Sequence, residues 1–278
     1  MDRKVRKDAF YYYQAAWTDA PMIHLTGKRY MNRSYPVMDV KAYSNAPAAR
    51  LTFNGRDMGE VRCPNHSCVW QGVALRPGAN EAVVSASVEG QSVSDTATWN
   101  GIDPRSDGVR IDAGNLAASV VGGRRFGSDT FVTGGKPVPR YAGRIGASST
   151  GADVPVAAAL RELFDYWRSG DDFAYAIPLP DGDWQVTIHT LEPGEQAIDP
   201  RAAAMPGMAG DKYRPTVMAV SANGSTVIDR LDVAKAAGGA RKGLARSFPV
   251  RVENGLLRLR FTGVAGGQAT LAAIEILQ

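Results

Sequence analysis

Histidine and cysteine are scarce in this chain: 278 residues carry three of the first and two of the second. That scarcity excludes most metal and nucleophile chemistry. Cys63, His66 and Cys68 in CPNHSC give at most three neighbouring ligands, one short of a closed zinc site. Only His24, His66 and His189 could serve a serine–histidine–aspartate triad, and GASSTG at 146–151 lacks the Gly-x-Ser-x-Gly spacing of an exposed nucleophile. His189 alternates within a strand pattern and reads as structural. No apolar run reaches about eighteen residues, so no membrane-spanning helix is expected. The formal net charge is only +4, with basic and acidic side chains interleaved along the length. A nucleic-acid partner, which needs Lys and Arg clustered on one face, is therefore excluded. GGRRFG at 122–127 follows no strand feeding a helix, which removes a phosphate cradle. Asp103, Asp107 and Asp112 miss the spacing of a calcium loop. Neither cofactor nor metal is expected.

Turn formers are abundant. Thirty glycines and sixteen prolines suit many short strands joined by turns. Val40 with Ala42 and Leu51 with Phe53 alternate at strand period, and Asn54-Gly55 follows as a hairpin turn. Ala82, Val84, Ala86 and Val88 alternate, EGQ reverses the chain, and Val93, Ala97 and Trp99 return it. Six or seven short strands over 36–99 describe an immunoglobulin-like sandwich, taken as a domain over 21–101. The turn-rich NGIDPRSDG at 100–108 supplies a linker over 102–108. A second β-rich domain follows over 109–278. VAAALRELFDYWR at 156–168 reads as its one clear helix, with Leu160, Leu163, Phe164 and Trp167 on a shared face and Gly170 as the stop. Strands are expected over 173–177, 184–188, 217–221, 248–252, 256–261 and 270–276. The Cys63–Cys68 spacing leaves two readings open, a small-loop disulfide and two free thiols.

Residues 2–17, DRKVRKDAFYYYQAAW, read as a helix with Val5, Ala9, Tyr12 and Ala16 on one stripe and Phe10, Tyr13 and Trp17 on the next. So wide an apolar face asks for a partner. DRKVRKDAFYYYQAAWTDAPMIHLTGKRY, from Arg6 through Trp17 to His24, resembles the junction in bacterial family-two glycoside hydrolases of the β-galactosidase-like kind. There the last helix of a (β/α)8 catalytic barrel hands over to C-terminal β-domains. The resemblance implies that residues 1–20 are the terminal helix of a barrel lying upstream; the other reading is an amphipathic helix docked on its own domain. YSNAPAARLTFNGRDMGEV resembles the sandwich that follows the barrel. IDAG at 111–114, GDDFAYAIPLPDGDWQVTIHTLE at 170–192, ANGSTVIDRLDVAKAAGGARKG at 222–243 and the terminal LRLRFTG with AAIEIL resemble the malectin-like carbohydrate-binding family. The expected fold is all-β: an immunoglobulin-like sandwich, then a malectin-like one of jelly-roll type.

Glycoside hydrolysis ordinarily needs two carboxyl groups held about 5–10 Å apart. In the resembling hydrolases they stand on barrel strands that would precede Asp2, and Glu162, Glu192 and Glu195 read here as surface or cap residues. Sugar binding by ring stacking and hydroxyl recognition is the remaining chemistry. Its candidates are Tyr141, Tyr166, Trp167 and Arg168, with Asp171 and Asp172 as hydroxyl acceptors and Phe173 and Tyr175 as core. The malectin resemblance assigns tyrosines near the helix, an aromatic pair after the second long strand and a late aspartate. Tyr141 matches the first. Ser169, Pro193-Gly194-Glu195 and GVAGGQATL depart from the rest. The expected partners are an oligo- or polysaccharide and the upstream barrel, with a second copy of the chain also open to the apolar helix face. The resemblance implies a periplasmic or extracellular location.

Overall fold

The computed structural model describes residues 6–139, 158–194 and 213–278. Strands dominate, in two units spanning Met1–Asp103 and Pro104–Gln278. Unit one opens with α1 (Asp8–Trp17) and continues through β1 (Ile23–Leu25), β2 (Val37–Ser44), β3 (Ala48–Phe53), β4 (Arg56–Arg62), β5 (Ser67–Ala74), β6 (Gly78–Val88) and β7 (Gln91–Gly101). They form two antiparallel sheets, β1-β2-β5 and β4-β3-β6-β7. Asn54 and Gly55, both at positive φ, close the β3–β4 hairpin, and Glu89-Gly90 does the same between β6 and β7. Val40, Ala42 and Trp70 on one sheet meet Leu51, Phe53, Val84 and Trp99 on the other, all nearly removed from water. That shared core makes unit one a sandwich.

Two further devices hold its sheets together. Cys63 and Cys68 are joined as a disulfide between the end of β4 and the start of β5, which belong to different sheets. Trp70 Nε1 donates to the Gly59 carbonyl across the same gap at 3.1 Å. At the far turn, fully buried Asn80 accepts from the Arg76 N–H and the Asn54 side chain and donates to the Arg76 and Gly78 carbonyls. All its polar capacity is used.

Helix α1 departs from the expectation over 2–17. Arg6 and Lys7 lie outside it, and Lys7 is extended at the N-cap. The inward stripe is Asp8, Tyr11, Tyr12 and Ala15 rather than Ala9, Tyr12 and Ala16. Tyr11 stacks on His24 at 3.5 Å, Tyr12 meets the edge of Tyr43 at 5.3 Å, and Ala15 is buried. The helix therefore docks on its own sandwich with one face. The adjoining stripe stays in solvent: Phe10, Tyr13 and Trp17 are 42%, 51% and 80% exposed.

Unit two starts where a linker was expected. Pro104–Asp107 form a single helical turn, α2, and Arg105 donates to the Asp181 carbonyl and the Gln278 side chain of the same unit. Then come β8 (Val109–Asp112), β9 (Ser119–Val121), β10 (Arg124–Phe126), β11 (Val132–Pro139), β12 (Tyr166–Pro178), β13 (Gly182–Leu191), β14 (Val217–Ala222) and β15 (Ser225–Asp232). The short helix α3 (Val233–Ala237), capped by the Asp232 side chain, leads to β16 (Gly243–Val252), β17 (Leu256–Gly263), β18 (Ala269–Leu271) and β19 (Ala273–Leu277). One sheet runs β16-β13-β19-β8; the other runs β11-β12-β17-β14-β15, with β18 also on β12. Phe173, Tyr175 and Ile177 of β12 and Leu257, Leu259 and Phe261 of β17 are buried, as are Trp184, Val186, Ile188, Ile274 and Ile276 of the other sheet.

The helix expected over 156–168 is not formed. Its described part is a 3-10 turn over Ala158–Phe164, and Tyr166 already begins β12. Apolar residues three and four apart fit a short 3-10 piece as well as an α-helix. Leu163, Phe164 and Trp167 do share one apolar cluster, but Trp167 reaches it from a strand, opposite Val138. Gly170 is no stop: it lies within β12, where a side chain would collide with Gly135. The strand expected over 270–276 is two, divided at Ala272 between the sheets.

Because Asn80 is buried and pairs with both backbone groups of Arg76, Asn80→Ala removes the bonds that fix this turn. We predict a loss of about 1–3 kcal/mol in the urea unfolding of unit one; a change below about 0.5 kcal/mol contradicts this role.

Candidate carbohydrate site

One end of unit two gathers the polar residues. Across the sheets, His189 registers with Ala273 and Ala273 with Asp112, while Arg168 registers with Leu271. The start of β12, the end of β13, β18 and the end of β8 therefore share that end. Outside the sheet, Val121, Phe126, Leu163, Phe164 and Trp167 pack on Leu191, Ala272 and Ala273 as a second, smaller core.

Asp129 is the hub, with its side chain fully buried. Its carboxylate accepts from Arg168 Nε at 2.8 Å and Nη2 at 2.7 Å, from the Gly114 N–H at 2.8 Å and from the Tyr175 hydroxyl at 2.6 Å. Arg168 also donates to the Gly134 carbonyl at 2.7 Å. Burial, with Asp129 beside it, holds the Tyr175 phenol well above its usual range, so it acts as a donor. Gly114 explains the IDAG motif: its φ is +82°, and a Cβ there would lie 2.2 Å from the Trp167 carbonyl oxygen.

Three other carboxylates line this end. Glu192 is buried, not the surface or cap residue the sequence suggested. It accepts from the Gly194 N–H, the Thr216 N–H and the Tyr213 hydroxyl, tying the end of β13 to the start of β14. Glu275 takes His189 Nε2 at 2.9 Å, Arg110 at 3.0 Å and Arg124 at 2.6 Å. Burial pushes the Glu275 carboxyl up, but these three partners outweigh burial and hold it below its usual range. Asp112 goes the other way. Burial raises its carboxyl to about 6 against the pull of Ser119 and Asn115, and its Oδ1 has no protein partner.

The residues nominated from sequence are dispersed among these groups. Tyr141 lies outside the described residues. Tyr166 is partly exposed at the first position of β12. Trp167, 4% exposed, has its ring in the small core, so no sugar face can stack on it in this state. Arg168 belongs to the Asp129 hub. Asp171 is exposed and pairs with Arg214; Asp172 pairs with Arg260 and accepts from Thr262. Phe173 and Tyr175 are core, as expected. Tyr166, Asp171, Arg214 and Tyr213 are among the described groups here that reach solvent. Asp129 and Tyr213 escaped sequence reading because each is isolated among turn residues, with no periodicity to mark it.

Removing the hub carboxylate strands a buried guanidinium. We predict that Asp129→Ala costs about 3–5 kcal/mol in the unfolding of unit two; a loss below about 1 kcal/mol contradicts the hub.

Comparison with known proteins agrees with both units. Residues 36–94 match a domain of unknown function, DUF4982, and residues 108–274 match the malectin domain. Over 82 residues the chain is 44% identical to a curated β-glucuronidase from Bacteroides fragilis, covering 29% of this chain and 12% of that protein. A solved β-glucuronidase from Bacteroides uniformis aligns with 99% of this chain and 32% of its own length, at 17% identity and a TM-score of 0.49. One from Parabacteroides merdae aligns with 93% of this chain and 24% of its own, at 16% identity and a TM-score of 0.34. The chain thus spans a minor part of each. The curated relative is a glucuronidase, where the sequence resemblance pointed to β-galactosidase-like enzymes. Together the two domain matches and the curated relative support the C-terminal region of a family-two glycoside hydrolase. The malectin match covers more than half of the 278 residues, and the chain belongs to the malectin domain family.

Proposed function

We infer that this chain is an accessory region of a family-two glycoside hydrolase that performs no reaction itself. Its malectin-like unit holds an oligo- or polysaccharide at the end organised by Asp129. The observation that carries the reading is the malectin match over residues 108–274, in a chain that is 44% identical to a β-glucuronidase over 82 residues. The chemistry of the end supports it. The Asp129, Glu192 and Glu275 carboxylates are consumed by internal donors and are in no position to shuttle protons to a glycosidic bond. Tyr166, Asp171 and Arg214 face outward, supplying an aromatic ring and charged groups for hydroxyl or carboxylate recognition. An oxidising location, periplasmic or extracellular, accords with the Cys63–Cys68 bond. No helix among the described residues is long and apolar enough to cross a membrane.

A second reading has its own observation. Phe10, Tyr13, Gln14, Trp17 and Thr18 line an open groove of about 360 Å³ on the outer face of α1. A solvated indole beside two further rings is unusual for a finished surface. In this reading the chain braces the catalytic domain, which covers that face, and sugar binding is absent.

Calorimetry with the purified chain separates the two. Titration with glucuronate-containing oligosaccharides, galactans and glucans is expected to give saturable binding below about 1 mM for at least one of them. Tyr166→Ala should weaken it about tenfold, the equivalent of one stacked ring. If no sugar binds at millimolar concentration, the bracing reading stands and the binding reading falls.

A further inference from the structure

The chain holds four Asn-Gly pairs, at 54–55, 100–101, 223–224 and 254–255. This dipeptide carries chemistry of its own. A glycine nitrogen, unshielded by a side chain, can attack the carboxamide of the asparagine before it. The carboxamide must be free to swing onto that nitrogen. In three of the pairs the structure holds it. Asn54 donates to Asn80 Oδ1 at 2.9 Å and accepts from the Glu81 N–H at 2.9 Å. Asn223 donates to the Arg251 carbonyl at 2.8 Å and accepts from the Arg258 N–H at 2.9 Å, a staple between β16 and β17. Asn100 donates to Asn32 Oδ1 at 3.0 Å, and Gly101 is kept in the β6–β7 ladder opposite Gly78.

Asn254 differs. It is exposed in the turn between β16 and β17, at φ +58°, and its carboxamide makes no hydrogen bond among the described residues. Gly255, at φ +71°, donates its N–H to Asp181 Oδ1 at 2.7 Å. The proton that must leave the attacking nitrogen therefore already points at a carboxylate. The turn is also open: a Cβ at Gly255 would meet only the Leu179 carbonyl oxygen, at 3.9 Å.

We propose that Asn254 is a self-modification site that converts to aspartate and iso-aspartate, with Asp181 taking the proton from the Gly255 nitrogen. That nitrogen bonds to the Asn254 Cγ, the Cγ–Nδ2 bond breaks, and Nδ2 leaves as ammonia with the transferred proton. Water then opens the cyclic imide at either carbonyl. One opening restores the main chain with aspartate; the other routes the main chain through the side-chain carboxyl. Nothing is oxidised or reduced. Either product adds a carboxylate to a turn flanked by Glu253 and Asp181, and the iso-aspartyl link lengthens the main chain by a methylene. The Leu179 N–H bond to the Gly255 carbonyl and the Asp181 contact, which tie this turn to the start of β13, then no longer fit. Leu256 registers with Pro178 at the end of β12, and Val252 with Gly182 at the start of β13. The turn thus lies at the opposite end of unit two from Asp129, and the modification is independent of any sugar bound there.

Peptide mapping by mass spectrometry follows all four sites while the full chain is incubated at mildly alkaline pH. Asn254 is expected to convert about fivefold or more faster than Asn54, Asn100 or Asn223, the protection that one or two hydrogen bonds supply to a held carboxamide. In urea, where those bonds are gone, the four rates should converge. Asp181→Asn keeps an oxygen for the Gly255 N–H but no base, and should lower the Asn254 rate while leaving the other three unchanged. Equal rates at the four sites in the folded chain overturn the proposal, as does the same ranking in urea. An Asp181→Asn rate equal to or above that of the parent chain removes Asp181 from the step.

Discussion

The Asp129 carboxylate is the constraint on which the polar end of the second unit depends. A buried charge in a β-sandwich is tolerated only when its acceptor positions are filled. Asp129 fills its own from three residues on two segments: Gly114 in the turn after β8, and Arg168 and Tyr175 on β12. That closure fixes where β12 starts, and therefore where Tyr166 and Asp171 emerge. Trp167 is drawn inward by the same event. Its main chain lies against Gly114, leaving no room for a side chain there, and its ring joins the small core outside the sheet.

The remaining buried polar groups at this end work alike. Glu192 joins β13 to the segment entering β14, and Glu275 joins β19 to β8, β10 and β13. Internal satisfaction makes them rigid and also makes them poor catalysts, since a general acid or base must exchange its proton with a substrate. Among the described groups of this end, Asp112 Oδ1 and His189 Nδ1 are buried without a protein partner. An end built this way can position a ligand on its rim without reacting with it, as an accessory binding unit requires.

Much of the fold was legible because strands announce themselves through alternation and turn chemistry. Asn54-Gly55 and Glu89-Gly90 placed two hairpins, and Val84, Trp99 and Leu51 entered the core by period alone. The helix expected over 156–168 misled because spacings of three and four do not distinguish a 3-10 turn followed by a strand from one α-helix. The error passed to the site, where Trp167 was assigned a solvent-facing ring. Asp129 was invisible for the opposite reason: a lone aspartate in SDTF has no local pattern, and its partners lie 15 to 46 residues away. Helix α1 was read correctly as needing a partner. That partner is in part its own sandwich, met by Tyr11 and Tyr12, while Phe10, Tyr13 and Trp17 remain uncovered.

The central claim is that the second unit meets carbohydrate at the end organised by Asp129. Hydrogen exchange of the full chain with and without a saturating oligosaccharide locates any contact without prior choice of a residue. The account predicts slower exchange confined to segments 166–171, 191–194 and 213–216, with unit one unchanged. Protection confined to α1 or to the sandwich of unit one, or no protection from any sugar, would contradict it.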